Sequence, residues 1–126
     1  MKVTKERKKL IFDTNWLVYC AKEKNFERVD WLLHLYECYI LKKTFDEMKS
    51  IHSWYKKRIE LMIDYLEQKI KKHELLLIKS ERDVDSSILA LVKKKFADAV
   101  ATFDSELIEK IKAVNPKIEI IEKIKV

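Results

Sequence analysis

The chain has 126 residues, 48% hydrophobic and 38% charged, with a formal net charge of +6. That length buries a core without staples, that apolar share excludes disorder, and no apolar run approaches the roughly 20 residues of a bilayer-spanning helix. We expect a single domain over residues 1–126, cytoplasmic and without membrane association, because the basic stretch Lys2 to Lys9 leads into too few apolar residues for a signal peptide. The absence of glycine excludes the phosphate-binding P-loop, the dinucleotide fingerprint and the nucleophile elbow, each of which needs glycine where backbone turns sharply or approaches a ligand. The positive charge suits a polyanionic partner. The Lys, Glu and Ile bias resembles a heat-adapted composition. Cys20 and Cys38 lie in apolar stretches without metal-like spacing, so reduced core thiols are expected.

Taken in order, Leu10-Ile11-Phe12 is a short apolar run of the kind buried on both faces in a parallel sheet, and it breaks at Asp13-Thr14-Asn15. A carboxylate at that end lies where open α/β sheets bind ligands. The same triplet is also a helix N-cap ahead of Trp16-Leu17-Val18, and taken alone the cap is the stronger reading. Val29, Leu32, Leu33 and Tyr36 mark an amphipathic helix over 26–37, followed by a second strand at Cys38-Tyr39-Ile40-Leu41. After Lys42-Lys43-Thr44, a new helical pattern starts at Phe45-Asp46-Glu47-Met48. Ile59, Met62, Ile63, Leu66 and Ile70 then line one face of the longest helix. Residues 74–79 read as a third buried strand, and 80–85 as the loop or cap before a helix with Ile88, Leu91, Val92 and Phe96 inward. Asp98 to Thr102 gives a fourth strand, 104–114 a helix, and 117–121 a fifth strand reaching toward Ile124. Strands alternating with helices imply right-handed crossovers and a three-layer α/β/α domain with a parallel sheet of about five strands.

In this reading an acid follows each of the first four strands: Asp13, Glu47, Asp85 and Asp104. Each singly has a cap or first-turn explanation at the positive end of a helix dipole. Their recurrence at one sheet edge is harder to dismiss, because clustered like charges are costly unless cations hold them, and Mg²⁺ or Mn²⁺ take oxygen ligands. Asp46 and Asp83 are set aside as a first-turn residue and a cap, and Asp98 as lying at the opposite edge. His34, His52 and His73 are expected to be structural or surface residues.

Four blocks, Ile11-Phe12-Asp13-Thr14-Asn15-Trp16-Leu17, Phe45-Asp46-Glu47-Met48, Val84-Asp85-Ser86-Ser87-Ile88-Leu89-Ala90-Leu91 and Ala97 to Leu107, resemble in order the signature blocks of PIN-domain ribonucleases. The resemblance implies strand order 3-2-1-4-5 and a metal-dependent endoribonuclease. It makes Asp13, Glu47, Asp85 and Asp104 the catalytic, Mg²⁺- or Mn²⁺-binding acids, Thr102 a supporting hydroxyl, and Asn15 a residue that orients an acid. It further implies RNA as partner, a homodimer, and either a ribosome-processing partner or an antitoxin, since processing and toxin-type branches share the acids. Two positions depart from the family pattern: Ser86, where many members carry a second acid, and Phe103, where a small polar residue is common.

Lys42, Lys43, Lys79 and Arg82 follow strands two and three, share the acidic edge and are the candidate RNA contacts. Lys93-Lys94-Lys95, like Lys2, Lys5, Arg7, Lys8 and Lys9, are assigned to the opposite edge. Trp16 is expected in the core, Trp54 is a candidate for base stacking, and Trp31 is expected to pack beside Leu32. Trp31, Leu35 and Tyr39 are candidate dimer contacts. Two alternatives stand beside the nuclease: a PIN-like scaffold that binds RNA or protein without cutting, and a phosphotransfer or phosphatase domain. The last is disfavoured because Asp13-Thr14-Asn15 lacks a second Asp two residues on.

Overall fold

The computed structural model describes residues 7–122. Strands β1 (Lys9–Phe12), β2 (Glu37–Leu41), β3 (Leu75–Ile78), β4 (Ala99–Ala101) and β5 (Glu119–Ile121) form one parallel sheet in the order β3-β2-β1-β4-β5. This is the order expected. The extension of β5 toward Ile124 lies outside the described residues, as do Lys2 and Lys5. Between the strands run α1 (Thr14–Lys22), α2 (Phe26–Leu35), α3 (Lys42–Lys49), α4 (Lys56–Lys71), α5 (Val84–Lys93) and α6 (Ser105–Val114). Among the described residues no helix is long and apolar enough to cross a membrane.

The central strand explains the layers. Successive side chains point to opposite faces, so Leu10 and Phe12 enter a core with Trp16, Leu17, Val29, Met62 and Leu66, under α1 to α4. Ile11 enters a second core with Val84, Ile88, Val100, Leu107 and Ile111, under α5 and α6. Leu10, Ile11 and Phe12 are fully buried, and each contributes about 1.5–3 kcal/mol of hydrophobic stabilisation. Cys20 and Cys38 are buried free thiols, and burial pushes each up to about 12. They are core residues, as expected.

Several local expectations are corrected. Helix α3 begins at Lys42, directly after β2, with Leu41 as a cap that supplies no side-chain hydrogen bond and two lysines in the first turn against the dipole. Burial of Thr44, Phe45 and Met48 drives it. Asp46 and Glu47 thus fall in its second turn, where the dipole gives a carboxylate no reason to be. Strand β3 lies at the sheet edge and is half-covered, with Leu77 39% exposed, rather than fully buried. Trp31 is 56% exposed and joins exposed Leu35 beside Phe26 and Tyr65, while Tyr39 packs on the other sheet face against Phe96. These three do not form one patch.

Three helices end alike. Lys24, His73 and Lys95 adopt left-handed backbone, with φ of 54°, 61° and 62°. At each, two successive N–H groups return to the last turn: Lys24 to Ala21 and Asn25 to Cys20, His73 to Ile70 and Glu74 to Lys69, Lys95 to Val92 and Phe96 to Leu91. This is the Schellman closure, usually made with glycine.

Candidate active site

Because all five strands run the same way, their C-terminal ends share one edge, and Asp13 stands at its centre. The Asp13 N–H donates to the Ala101 carbonyl (2.9 Å), which continues the β1–β4 ladder by one residue and fixes the side chain between the middle strands. Its Oδ1 accepts from the Thr14 N–H (2.8 Å), the N-cap bond of α1, and its Oδ2 accepts from the Thr102 hydroxyl (2.7 Å). The cap bond is therefore present, and it coexists with a place at the centre of the strand-end edge. Asp13 is only 4% exposed. Burial pushes its carboxyl from 3.8 up to about 6, against the lowering effect of the Thr102 and Thr14 bonds and with further elevation from the Asp85 and Asp104 charges.

Thr102, fully buried just after β4, has a second task. Its hydroxyl accepts from the Asp104 N–H (3.1 Å), and Asp104 in turn caps α6, its Oδ1 accepting from Glu106 (3.0 Å) and Leu107 (3.2 Å). Asp104 Oδ2 has no hydrogen-bond partner among the described residues. Asn15 acts on the same loop, its Oδ1 accepting from the Phe103 N–H (3.1 Å), so it positions the chain between Thr102 and Asp104 rather than bonding an acid. Glu47 reaches the group from α3, where its Oε1 accepts the Thr14 hydroxyl. Asp85, in the first turn of α5, is raised first by burial, then by Asp104, Asp83 and Glu47, with Lys110 opposing.

The fold thus brings Asp13, Glu47, Asp85 and Asp104 to one edge, close enough for their charges to act on one another. Among the described residues none of the four makes an ion pair. Their oxygen-only chemistry fits a hard divalent cation, but their spacing is loose: among the described residues no three His, Cys, Asp or Glu side chains converge closely enough to hold an ion directly.

Asp83 and Asp98 are structural, as expected, whereas Asp46 sits in the second turn of α3 and not in the first. Asp83 caps α5 through the Ser86 N–H (3.2 Å), and Asp98 accepts from the Lys9 N–H (2.8 Å) at the far edge. Asp46 is exposed on α3. His34, His52 and His73 are exposed and remote in the chain from every acid of the cluster except Glu47, five residues before His52.

The basic residues separate less cleanly than expected. Lys42 and Lys43 open α3, and the Lys43 ammonium bonds the Glu81 carbonyl. Lys79 and Arg82 line a groove with Lys94, and Arg82 also shares a groove between α5 and α6 with Lys93, Lys94 and Lys110. With ten residues, α5 is only about 15 Å long, so lysines at its far end reach back along it. Lys95 does stay at the opposite edge, beside Lys8 and Asp98.

Sequence reasoning missed a feature adjoining the acids. Asn15, Tyr19 and Lys22 recur at i, i+4 and i+7 along α1 and, with Arg28, Tyr55 and Phe103, line a groove of about 650 Å³. The helical spacing was the available signal. Phe103, the departure noted above, stacks toward buried Trp16 (6.5 Å) and meets Tyr19 edge-on (5.0 Å).

No family model matches the sequence, and neither does any curated protein. Solved structures do match. One described as the PIN domain endonuclease Utp24 superposes with a TM-score of 0.64 at 20% identity, over 93% of this chain and 86% of that one. A domain of a functionally unknown protein from Methanocaldococcus jannaschii superposes with a TM-score of 0.59 at 16% identity, over 94% of this chain and 97% of that one. With the strand order 3-2-1-4-5 and these superpositions across nearly its whole described length, the chain has a PIN-like fold.

Proposed function

We propose that the protein is a metal-dependent endoribonuclease that hydrolyses RNA phosphodiester bonds at the Asp13 edge. The observation that carries this reading is the buried Asp13 carboxylate, held by two hydrogen bonds against the charges of Asp85 and Asp104, where Lys110 acts on Asp85 but among the described residues none of the acids is ion-paired. A fold costs itself stability by such an arrangement unless a ligand repays it. The fold likeness to a PIN domain endonuclease supports the same chemistry.

Asp13, Asp85 and Asp104, with Glu47 directly or through water, would hold Mg²⁺ or Mn²⁺. When bound, such an ion lowers the pKa of an attacking water and balances charge on the scissile phosphate. Thr102 fixes the orientation of the Asp13 carboxyl, Asn15 fixes the loop carrying Phe103, and Glu47 is steadied by Thr14. The test is metal titration with labelled single-stranded or loop RNA. Mn²⁺ or Mg²⁺ is expected to raise the melting temperature and support cleavage, and EDTA to abolish both. Unchanged melting and cleavage in EDTA would sink the proposal. The scaffold reading is favoured by the loose spacing of the acids, and it requires RNA binding with no cleavage at any metal concentration. RNA-processing and toxin-type roles share this chemistry.

Lys42, Lys43, Lys79 and Arg82 are assigned to the phosphates flanking the cut. Neutralising all four is expected to flatten the salt dependence of RNA binding by up to about 3 in log–log slope, at roughly 0.7 per phosphate contact on a single strand. Neutralising Lys8 and Lys95, at the opposite edge, should leave the slope unchanged. Equal effects of the two sets would refute the assignment.

A further inference from the structure

The groove on α1 alternates rings with cations. The Lys22 ammonium lies 5.0 Å from the Tyr55 ring, and the Arg28 guanidinium 5.7 Å from that of Tyr19. Past Tyr55 the pattern continues: Trp54 meets Tyr55 edge-on at 5.3 Å, and Arg58 lies 5.0 Å from the Trp54 ring while donating to the Lys22 carbonyl (2.6 Å). Among the described residues none of Lys22, Arg28 and Arg58 pairs with a carboxylate, and Arg28 Nε is buried without a hydrogen-bond partner. Trp54 is 75% exposed, an unusual cost for the largest apolar side chain in a chain with two cores to fill. At its other end the groove is closed by Asn15 and Phe103, the residues next in sequence to Thr14 and Asp104. That end therefore lies next to the segments that carry Asp13 and Asp104.

Resting on the ribonuclease reading, we propose that this groove is the track of the unpaired RNA strand entering the site. Bases stack on Tyr19, Tyr55 and Trp54, while Lys22, Arg28 and Arg58 hold the backbone. Rings interleaved with cations are the chemistry of single-strand binding: every base has a face to stack, and the phosphates supply the charge the three cations lack. A duplex presents no free base face, so the track makes the enzyme selective for single-stranded or looped RNA. Phe103 closes the track where it meets the acids, so a base stacked on Tyr19 leaves the next phosphodiester facing Asp13 and Asp104.

The experiment measures equilibrium binding of the full chain in EDTA, where cleavage is suppressed, to a short labelled oligouridylate. The comparisons are an abasic strand of equal length, a duplex, and an acidic peptide of matched charge. The abasic strand is expected to bind roughly five- to a hundredfold more weakly, the range stacking of a base supports. Trp54→Leu, at an exposed position outside both cores, and Tyr19→Leu should each move the oligouridylate toward the abasic affinity, and Trp54→Phe should restore most of it. Lys22→Gln with Arg58→Gln should lower the salt slope for all strands alike. Abasic or duplex RNA binding as well as the oligouridylate, full affinity in Trp54→Leu and Tyr19→Leu, or the peptide binding as tightly would each overturn the track. Failure of the nuclease reading has a different signature: no cleavage with Mn²⁺, while base-dependent binding in EDTA persists.

Discussion

Asp13→Asn is expected to abolish metal-dependent cleavage by orders of magnitude and, in the same protein, to stabilise the metal-free fold at neutral pH. The two effects have one cause. Asn keeps the shape and the Thr14 cap bond but removes a charge that burial, Asp85 and Asp104 all oppose. The rise of the Asp13 carboxyl from 3.8 to about 6 corresponds to about 3 kcal/mol at about 1.4 kcal/mol per pH unit. Its sign is the reverse of the usual aspartate. A folded-state pKa above the unfolded one contributes stability that is complete below 3.8 and is lost as pH rises through about 6. Melting of the metal-free wild type is therefore expected to fall relative to Asp13→Asn between pH 4 and pH 7, with the two close together at pH 4. Mn²⁺ should close the gap at pH 7 by stabilising the wild type alone. Asp13→Ala separates cap from charge: it also loses the Thr14 bond, worth about 1 kcal/mol, and should melt below Asp13→Asn. Parallel pH profiles, or cleavage surviving in Asp13→Asn, would remove Asp13 from the site.

Thr102→Val is expected to be the most damaging change at the site that leaves every carboxylate in place. Valine matches the shape of threonine, but the lost hydroxyl deprives Asp13 Oδ2 of its donor and the Asp104 N–H of its acceptor. The Asp13 oxygen is then left unpaired in a buried position and the Asp104 N–H in a half-buried one, a cost of roughly 2–4 kcal/mol. The hydroxyl also lowers the Asp13 pKa, so its removal should shift the pH dependence of metal-free melting upward. Thr102→Ser keeps the hydroxyl and should recover most of both stability and pH profile. A purely structural role would show the stability loss with an unmoved profile.

The parts of this site that were legible in the sequence are those governed by short-range pattern. Leu10-Ile11-Phe12 ending at Asp13 is a buried strand that stops at a carboxylate, and the helix periods around it force the crossovers that put Asp85 and Asp104 at the same edge. Asp83 and Asp98 were readable for the same reason, since a cap and a strand start are local. Less legible were features decided by partners distant in sequence. Lys42 is a poor residue to open a helix, and α3 starts there only because Thr44, Phe45 and Met48 find the core. Trp31 lies off the stripe of Val29, Leu32, Leu33 and Tyr36, and it is that period, not its apolar bulk, that decides its outward position. The groove residues come from α1, α2, the turn before α4 and the loop after β4, and only the α1 members share a period.

The three left-handed helix ends bear on a state of the chain that has no fold at all. Lys24, His73 and Lys95 each hold a conformation that costs a side-chain-bearing residue about 1–2 kcal/mol and glycine nothing. At average usage a chain of 126 residues would carry about nine glycines; this one has none, and each substitution of glycine by another residue reduces the freedom of the unfolded ensemble by about 0.4–1 kcal/mol. The local strain and the chain-wide restriction are of similar size near room temperature. They do not scale alike: conformational strain is mainly an energy, whereas the restriction is an entropy whose weight grows in proportion to absolute temperature. Excluding glycine even from its favoured left-handed positions is therefore a composition whose balance improves with heat.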